Sequence, residues 1–330
     1  PPCLPGDPVT SATGSFYDLA SLTKPLVTAP LAHAFLDLDA DRRFALGFHD
    51  RAEPLTVRQL LSHSSGLPPW APFTGEPVAA QLRRGLPYGS HPLLQKAVVG
   101  DSTYSDLNYR LLAELLEAEA AVPFAQLGAT STDLSPAPWR EAPAQLPDGP
   151  DAEAWRLATD APLPAPDPHL PQDLNARAGM QGHAGFGATA DQLRAWLPRW
   201  VSLWAPRMAQ EEARSDVGEI WGLGLKAAHW GAGRFADLLA RIPEGMGGVH
   251  VIEDPRSGED DAPELGPLGE ASGWWFHLGW TGGALFYRPG DGCCVALLMT
   301  RLGPGGRMID DGALRRRRWA TLSAFTAKLR

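Results

Sequence analysis

Lysine is nearly missing from this chain. Lys24, Lys96, Lys226 and Lys328 stand against twenty-five arginines in 330 residues. Arginine stays protonated in a folded protein, whereas a buried lysine can release its proton, so each of the four is a candidate base. Cysteine is as scarce, and Cys3, Cys293 and Cys294 give neither a disulfide framework nor a metal-ligand spacing. No two histidines show H-E-x-x-H spacing, and Asp37, Asp39 and Asp41 start a calcium-loop pattern that fails at Arg42 and Phe48. An activity without metal or cofactor is expected. The longest uninterrupted apolar run, Cys293 to Met299, is far too short for a bilayer, so no stable membrane insertion is expected. A net charge of −9 and a pI near 5.5 speak against nucleic acid as a partner. The one basic cluster, Arg315 to Arg318, reads as a solvated helix face. The opening PPCLPGDPVT lacks an initiator Met, a basic n-region and an apolar h-region. No signal peptide is expected there; the cytoplasm is slightly favoured, with the natural start of the chain left open.

What is present suits one large α+β unit spanning 1–330. Helical patterns cover SLTKPLVTAPLAHAFLDLD (21–39), a short stretch within 54–70 that ends at Gly66 and Pro68–Pro69, NYRLLAELLEAEA (108–120) and ADQLRAWLPRWVSLWA (190–205). Residues 135–173 are proline-rich and acidic and read as a surface excursion anchored by Trp139 and Trp155. Beyond residue 216 the pattern changes to short β-rich runs between glycine turns. Pro289 to Gly292 has hairpin chemistry, and a last helix closes the chain. An antiparallel sheet flanked by helices is expected at 216–330, with a mostly helical lobe at about 50–215 inserted after the N-terminal helix.

Chemistry concentrates first at Ser21-Leu22-Thr23-Lys24. Residues three apart on a helix share a face, so the hydroxyl and the amine can meet. Pro25 suits a first turn, which puts the helix start near 19–22 and Ser21 at the positive end of the helix dipole. A lysine with a depressed pKa beside a hydroxyl can activate it as a nucleophile. The tetrapeptide alone is weak evidence, since chance supplies roughly 0.2 copies in a chain of this composition. Taken singly, Tyr104 reads first as a half-buried loop tyrosine and His277 first as an ordinary strand histidine.

Together these segments resemble the serine β-lactamase and penicillin-binding-protein superfamily, in its class C-like, esterase branch. The resemblance is carried by FYDLASLTKPLVTAPL, LTVRQLLSHSSGLPPW, TYSDLNYRLLAELLE, QGHAGFGATADQL and FHLGWTGGALFYRPG, in that order over about residues 16–305. It implies a β-lactamase/DD-peptidase-like fold and a serine hydrolase that forms an acyl-enzyme on a small-molecule ester or amide. Ser21 would be the nucleophile, Lys24 the base, Tyr104 a proton carrier and His277 a wall of the site. Asp106, Gly279 and Thr281 would contact substrate, and the backbone N–H of Trp280 would join that of Ser21 in an oxyanion hole. His63 and His183 are read as structural. Two departures stand out. Too few residues precede Phe16 for the one or two leading strands such proteins usually have. The third motif offers His277 where related enzymes show lysine, and the second offers Asp106 in place of asparagine. Both changes tilt the expectation from β-lactams and D-amino-acid peptides towards neutral carboxylic esters. A ligand-binding protein that kept the fold and lost turnover is the competing reading. Oligomeric state is left open.

Overall fold

The computed structural model describes residues 15–71, 77–83, 100–140, 167–179, 181–216, 218–227, 238–254, 273–301 and 309–329. Cys3, Lys96, Trp155 and most of the proline-rich excursion lie outside them. In chain order, strand β1 (Phe16–Asp18) leads through two irregular helical turns into α1 (Ala29–Phe35). Next come α2 (Val57–Leu61), α3 (Val78–Arg83), α4 (Asp106–Ala120), α5 (Phe124–Thr132), β2 (Ser135–Pro136) and α6 (Leu174–Arg177). Then follow β3 (Phe186–Thr189), α7 (Ala190–Leu203), α8 (Ala205–Met208), β4 (Ala213–Arg214), β5 (Ile220–Trp221) and β6 (Lys226–Ala227). The chain ends with β7 (Val249–Asp254), β8 (Trp275–Leu278), β9 (Ala284–Arg288), β10 (Cys293–Met299) and α9 (Asp311–Ala327).

The large sheet has the order β4-β5-β6-β8-β9-β10-β7, so it extends a little earlier than residue 216. It is antiparallel except at one edge, where β7 runs parallel to β10 with Val249 opposite Cys294. This departs from the all-antiparallel expectation. A parallel pair needs a long crossover, and here the chain passes through β8 and β9 before it returns to β10. A strand also sits just before Ser21, but β1 joins the separate small sheet β1-β3-β2.

Strand β10 explains its own unbroken apolar sequence. Its side chains alternate between two cores, because successive residues of a strand face opposite ways. Cys293, Val295, Leu297 and Met299 pack on the side of α9, with Leu314, Leu322 and Phe325. Cys294, Ala296 and Leu298 face the other core, with Leu26, Val27 and Trp200. Each large aliphatic side chain so buried contributes about 1.5–3 kcal/mol.

The basic cluster is not a solvated face. Arg317 and Arg318 are buried, while Arg315 is exposed. Arg317 meets Asp254 at the end of β7, whose second oxygen accepts from Thr321 at 2.6 Å. Both arginines face the sheet, where they find acceptors: Arg317 at Asp254 and Arg318 at the carbonyls of the turn after β8.

The expected long helix from residue 21 is instead broken. A 3₁₀ turn, Ala20–Leu22, precedes a π-helical turn, Lys24–Thr28, and regular α-helix begins only at Ala29 and stops at Phe35. Two prolines account for this. In the π turn the Ala29 N–H bonds Lys24 O, leaving Pro25 O without its usual partner, and Pro30 has no N–H to offer Leu26 O. Two indoles of α7 fill the gaps. Trp200 Nε1 donates to Pro25 O at 2.7 Å and Trp196 Nε1 to Leu26 O at 3.1 Å. Helix α7 itself starts at a Thr189/Gln192 capping box, a signal present in the sequence. Trp200→Phe keeps an aromatic ring in a smaller side chain but strands a buried carbonyl, so urea unfolding should show a loss of at least about 1–3 kcal/mol. An unchanged midpoint would show that the indole N–H is dispensable.

Candidate functional site

Strand β1 delivers the chain to Ser21 through a strained residue. Ala20 has φ +45°, a left-handed conformation that costs an alanine energy and persists only where its surroundings enforce it. Asp18 enforces it. Its buried carboxylate accepts Ala20 N–H at 2.8 Å through one oxygen and Gln172 N–H at 2.9 Å through the other. Burial pushes the Asp18 carboxyl up to about 6, against the pull of those two hydrogen bonds. Its backbone carbonyl accepts the Thr281 hydroxyl at 2.8 Å. One residue therefore ties together the Ser21 turn, the 172–173 loop and the turn after β8. Thr281, expected as a substrate contact, is buried and gives its hydroxyl to this tie.

Ser21 Oγ accepts from Lys24 Nζ and from Tyr104 OH, both at 3.0 Å. The Ser/Lys spacing therefore meets as expected, although over irregular turns. Lys24 is fully buried beneath the site, and its ammonium has three acceptors around it. Besides Ser21 these are His183 O at 2.9 Å and the Asp106 carboxylate at 2.7 Å. Burial lowers the Lys24 pKa from its ordinary 10.5, and Asp106 works in the opposite direction. Asp106, expected to contact substrate, lines the cleft. It opens α4 next to the lysine, and its charge is directed there.

Asp173 gave no signal in the sequence pattern, yet it belongs to this cluster. It caps α6 through Ala176 N–H and pairs with His183 Nε2 at 2.7 Å. Burial alone would raise its carboxyl, but the histidine and the helix N–H bring it down to about 2. A D-L-N start to a short helix was the available clue. Asp106, Asp173 and His183 hold potential ligand atoms within 4.8 Å of one another. The Lys24 amine stands against the same Asp106 carboxylate at 2.7 Å.

Tyr104 is fixed by His63, itself in the left-handed region at φ +59°. The His63 carbonyl accepts Thr103 N–H at 2.9 Å, its Nδ1 accepts Ser105 N–H at 3.1 Å, and its ring lies 4.8 Å from the tyrosine ring. Burial, with the nearby Lys24 charge, holds His63 far below 6.5, so Nδ1 remains an acceptor. The Tyr104 phenol is pushed well above 10, first by burial and then by the Asp106 charge. It keeps its proton at neutral pH.

His277 lies on β8, buried, with its ring 6.0 Å from that of Tyr104. Burial and then the Lys24 charge push its pKa down to about 3, so it stays a neutral imidazole. Residues 279–283 form the next turn, closed by Gly279 N–H to Gly283 O at 2.8 Å. Ser21, Tyr104, Asp106, His277, Gly279 and Trp280 line one cleft of about 510 Å³. Its wall also includes Trp70, Trp221, Phe276 and Leu278. Of the charged residues at its rim, Lys226 pairs with Glu219 and Arg301 with Asp311, while Arg315 is exposed.

No curated protein matches the chain. Among solved structures, a β-lactamase from a Sulfitobacter species is similar at 18% identity and a TM-score of 0.55, covering 97% of this chain and 86% of that one. A class C β-lactamase from Rhodobacter sphaeroides is similar at 16% identity and 0.54, covering 96% and 86%. A D-amino acid amidase from Ochrobactrum anthropi is similar at 14% identity and 0.53, covering 99% and 91%. These likenesses establish a β-lactamase/DD-peptidase-like fold of the α+β class. The sequence model of the Beta-lactamase family matches residues 5–318, and the chain therefore belongs to that family.

Proposed function

We propose that the protein is a serine hydrolase that acylates Ser21 and acts on carboxylic esters. The observation that carries this reading is the approach of Lys24 Nζ and Tyr104 OH to the same Ser21 oxygen, each at 3.0 Å. Lys24 as a neutral amine takes the hydroxyl proton while Ser21 Oγ attacks the ester carbonyl. The C=O π bond opens and its electron pair becomes the oxyanion, facing the N–H groups of Ser21 and Trp280. Collapse re-forms the carbonyl and breaks the bond to the leaving alkoxide, which takes a proton from Tyr104. That proton is replaced from Lys24. A phenol held above 10 suits this donor step and not the base step, which separates the two roles. Water then repeats the sequence on the acyl-enzyme, with Lys24 again as base.

The preference for neutral esters rests on charge. The third-motif position carries a neutral imidazole, which offers no cation to a substrate carboxylate, and Asp106 in the same cleft has its charge paired with Lys24. One observation favours a second substrate reading. Arg315 gives the rim an exposed cation, which would suit the carboxylate of a β-lactam or a D-amino-acid amide product.

Two measurements follow. A fluorophosphonate probe should label the wild-type chain stoichiometrically and leave Ser21→Ala unlabelled at an unchanged melting temperature. A folded wild type that takes no label would instead favour a ligand-binding protein. In a substrate panel, kcat/KM for a neutral p-nitrophenyl ester should exceed that for a chromogenic cephalosporin by roughly tenfold or more, as a missing screened charge pair implies. The ratio should stay flat from pH 5 to 8, because His277 has no charge to lose there, and His277→Lys should move it towards the cephalosporin. A wild type that prefers the cephalosporin would assign the rim to anion binding.

A further inference from the structure

Arg318, on the buried side of α9, is the least expected charge in the molecule. It is 5% exposed, and its hydrogen-bond acceptors are three backbone carbonyls of a single turn. Nη2 donates to Gly279 O at 2.6 Å and to Gly283 O at 3.3 Å, and Nε donates to Gly282 O at 2.7 Å. Burying a guanidinium without a close carboxylate is costly. Burial, together with the neighbouring Arg301, pushes its pKa down to about 9, and Asp311 offsets this only in part. A turn of glycines could be held by backbone bonds alone, so the cost calls for another reason.

The reason lies in which peptide units the guanidinium grips. Gly279 C=O and Trp280 N–H belong to the same peptide group. An ionised donor on that oxygen fixes the peptide plane and draws electron density away from the amide nitrogen. The N–H on the far side becomes a stronger donor, as in any polarised chain of hydrogen bonds. The residue is steadied on its C-terminal side as well: in the next peptide unit Arg301 Nη1 donates to Trp280 O at 3.3 Å, and its guanidinium lies 4.8 Å from the Trp280 ring centroid. We propose that Arg318 is a positioning residue for catalysis, orienting and polarising the Gly279–Trp280 peptide so that the Trp280 N–H stabilises the oxyanion formed on attack by Ser21. This rests on the acyl-enzyme reading above. It assigns a catalytic consequence to a helix arginine that reaches the cleft wall and spends its hydrogen bonds on the 279–283 turn.

The test compares wild type, Arg318→Gln and Arg318→Lys on two p-nitrophenyl esters, one neutral and one bearing a carboxylate. Inhibition by phenylboronic acid, whose adduct mimics the tetrahedral oxyanion, is measured beside the kinetics, with thermal unfolding as a check of folding. Arg318→Gln should lower kcat on both esters by about tenfold to a hundredfold, somewhat less than removing an oxyanion donor outright. Boronate affinity should fall by a similar factor while KM for the neutral ester hardly moves. Arg318→Lys keeps the charge but loses the fork, and should lose only a few-fold. A folded Arg318→Gln with wild-type kcat and boronate affinity overturns the proposal. So does a loss confined to the carboxylate ester and expressed in KM, which would make Arg318 a substrate anchor. If Arg318→Gln does not fold, a folded Arg318→Lys with unchanged kcat and boronate affinity overturns it equally. A wild type that neither turns over esters nor binds the boronate fails at the acyl-enzyme reading itself and takes this inference with it.

Discussion

A single buried ammonium organises the site. Lys24 sits with no exposure between the Ser21 hydroxyl, the His183 carbonyl and the Asp106 carboxylate, and these come from three distant parts of the chain. Each partner needs its own scaffold. The small sheet brings β3 and the 181–185 loop beneath the serine, α4 opens with the aspartate, and the two irregular turns place the lysine. A buried amine tolerates few errors in such a shell, because each lost acceptor leaves an uncompensated donor. Opposing pulls act on its proton. Burial favours the neutral amine that can serve as a base, while Asp106 favours the ammonium that holds the shell together.

Around this centre, the chain uses strain that its neighbours stabilise. Ala20 and His63 both occupy the left-handed region, one immediately before Ser21 and the other holding Tyr104 from both sides. Asp18 answers the first with paired backbone contacts. The prolines that break the N-terminal helix leave carbonyls open, and the indoles of Trp196 and Trp200 answer those. On the far side, Arg318 gathers the carbonyls of the 279–283 turn. The hydroxyl, amine and phenol thus meet in one place because backbone groups around them are satisfied by side chains from remote elements.

Much of this was legible in the residues. The scarcity of lysine drew notice to four candidates, the three-residue spacing to Ser21 picked out Lys24, and the ordered motifs pointed to Tyr104, His277 and the fold. Four things were not legible. Pro25 and Pro30 look compatible with a helix start, and only the competition for Lys24 O shows that the chain takes a π turn. Asp173 lies in an unremarkable loop, and its role depends on meeting His183 in space. The parallel edge strand β7 depends on a crossover that no local pattern encodes. Arg317 and Arg318 share a tetrad with the exposed Arg315, and which arginines turn inward depends on where the sheet ends. Each miss is a long-range decision that overrides a local pattern.

The same scarcity of lysine offers the most direct test of the central claim that burial outweighs Asp106 at Lys24. With four lysines in the chain, side-chain Cε signals of a carbon-labelled sample can be followed one by one through a pH titration, and Lys24→Arg identifies the signal in question. A midpoint clearly below the ordinary 10.5 is expected for Lys24, falling further in Asp106→Asn, where the opposing charge is gone. A midpoint at or above that of an exposed lysine would contradict it, since the amine would then remain an ammonium throughout the working range and could not take the proton of Ser21.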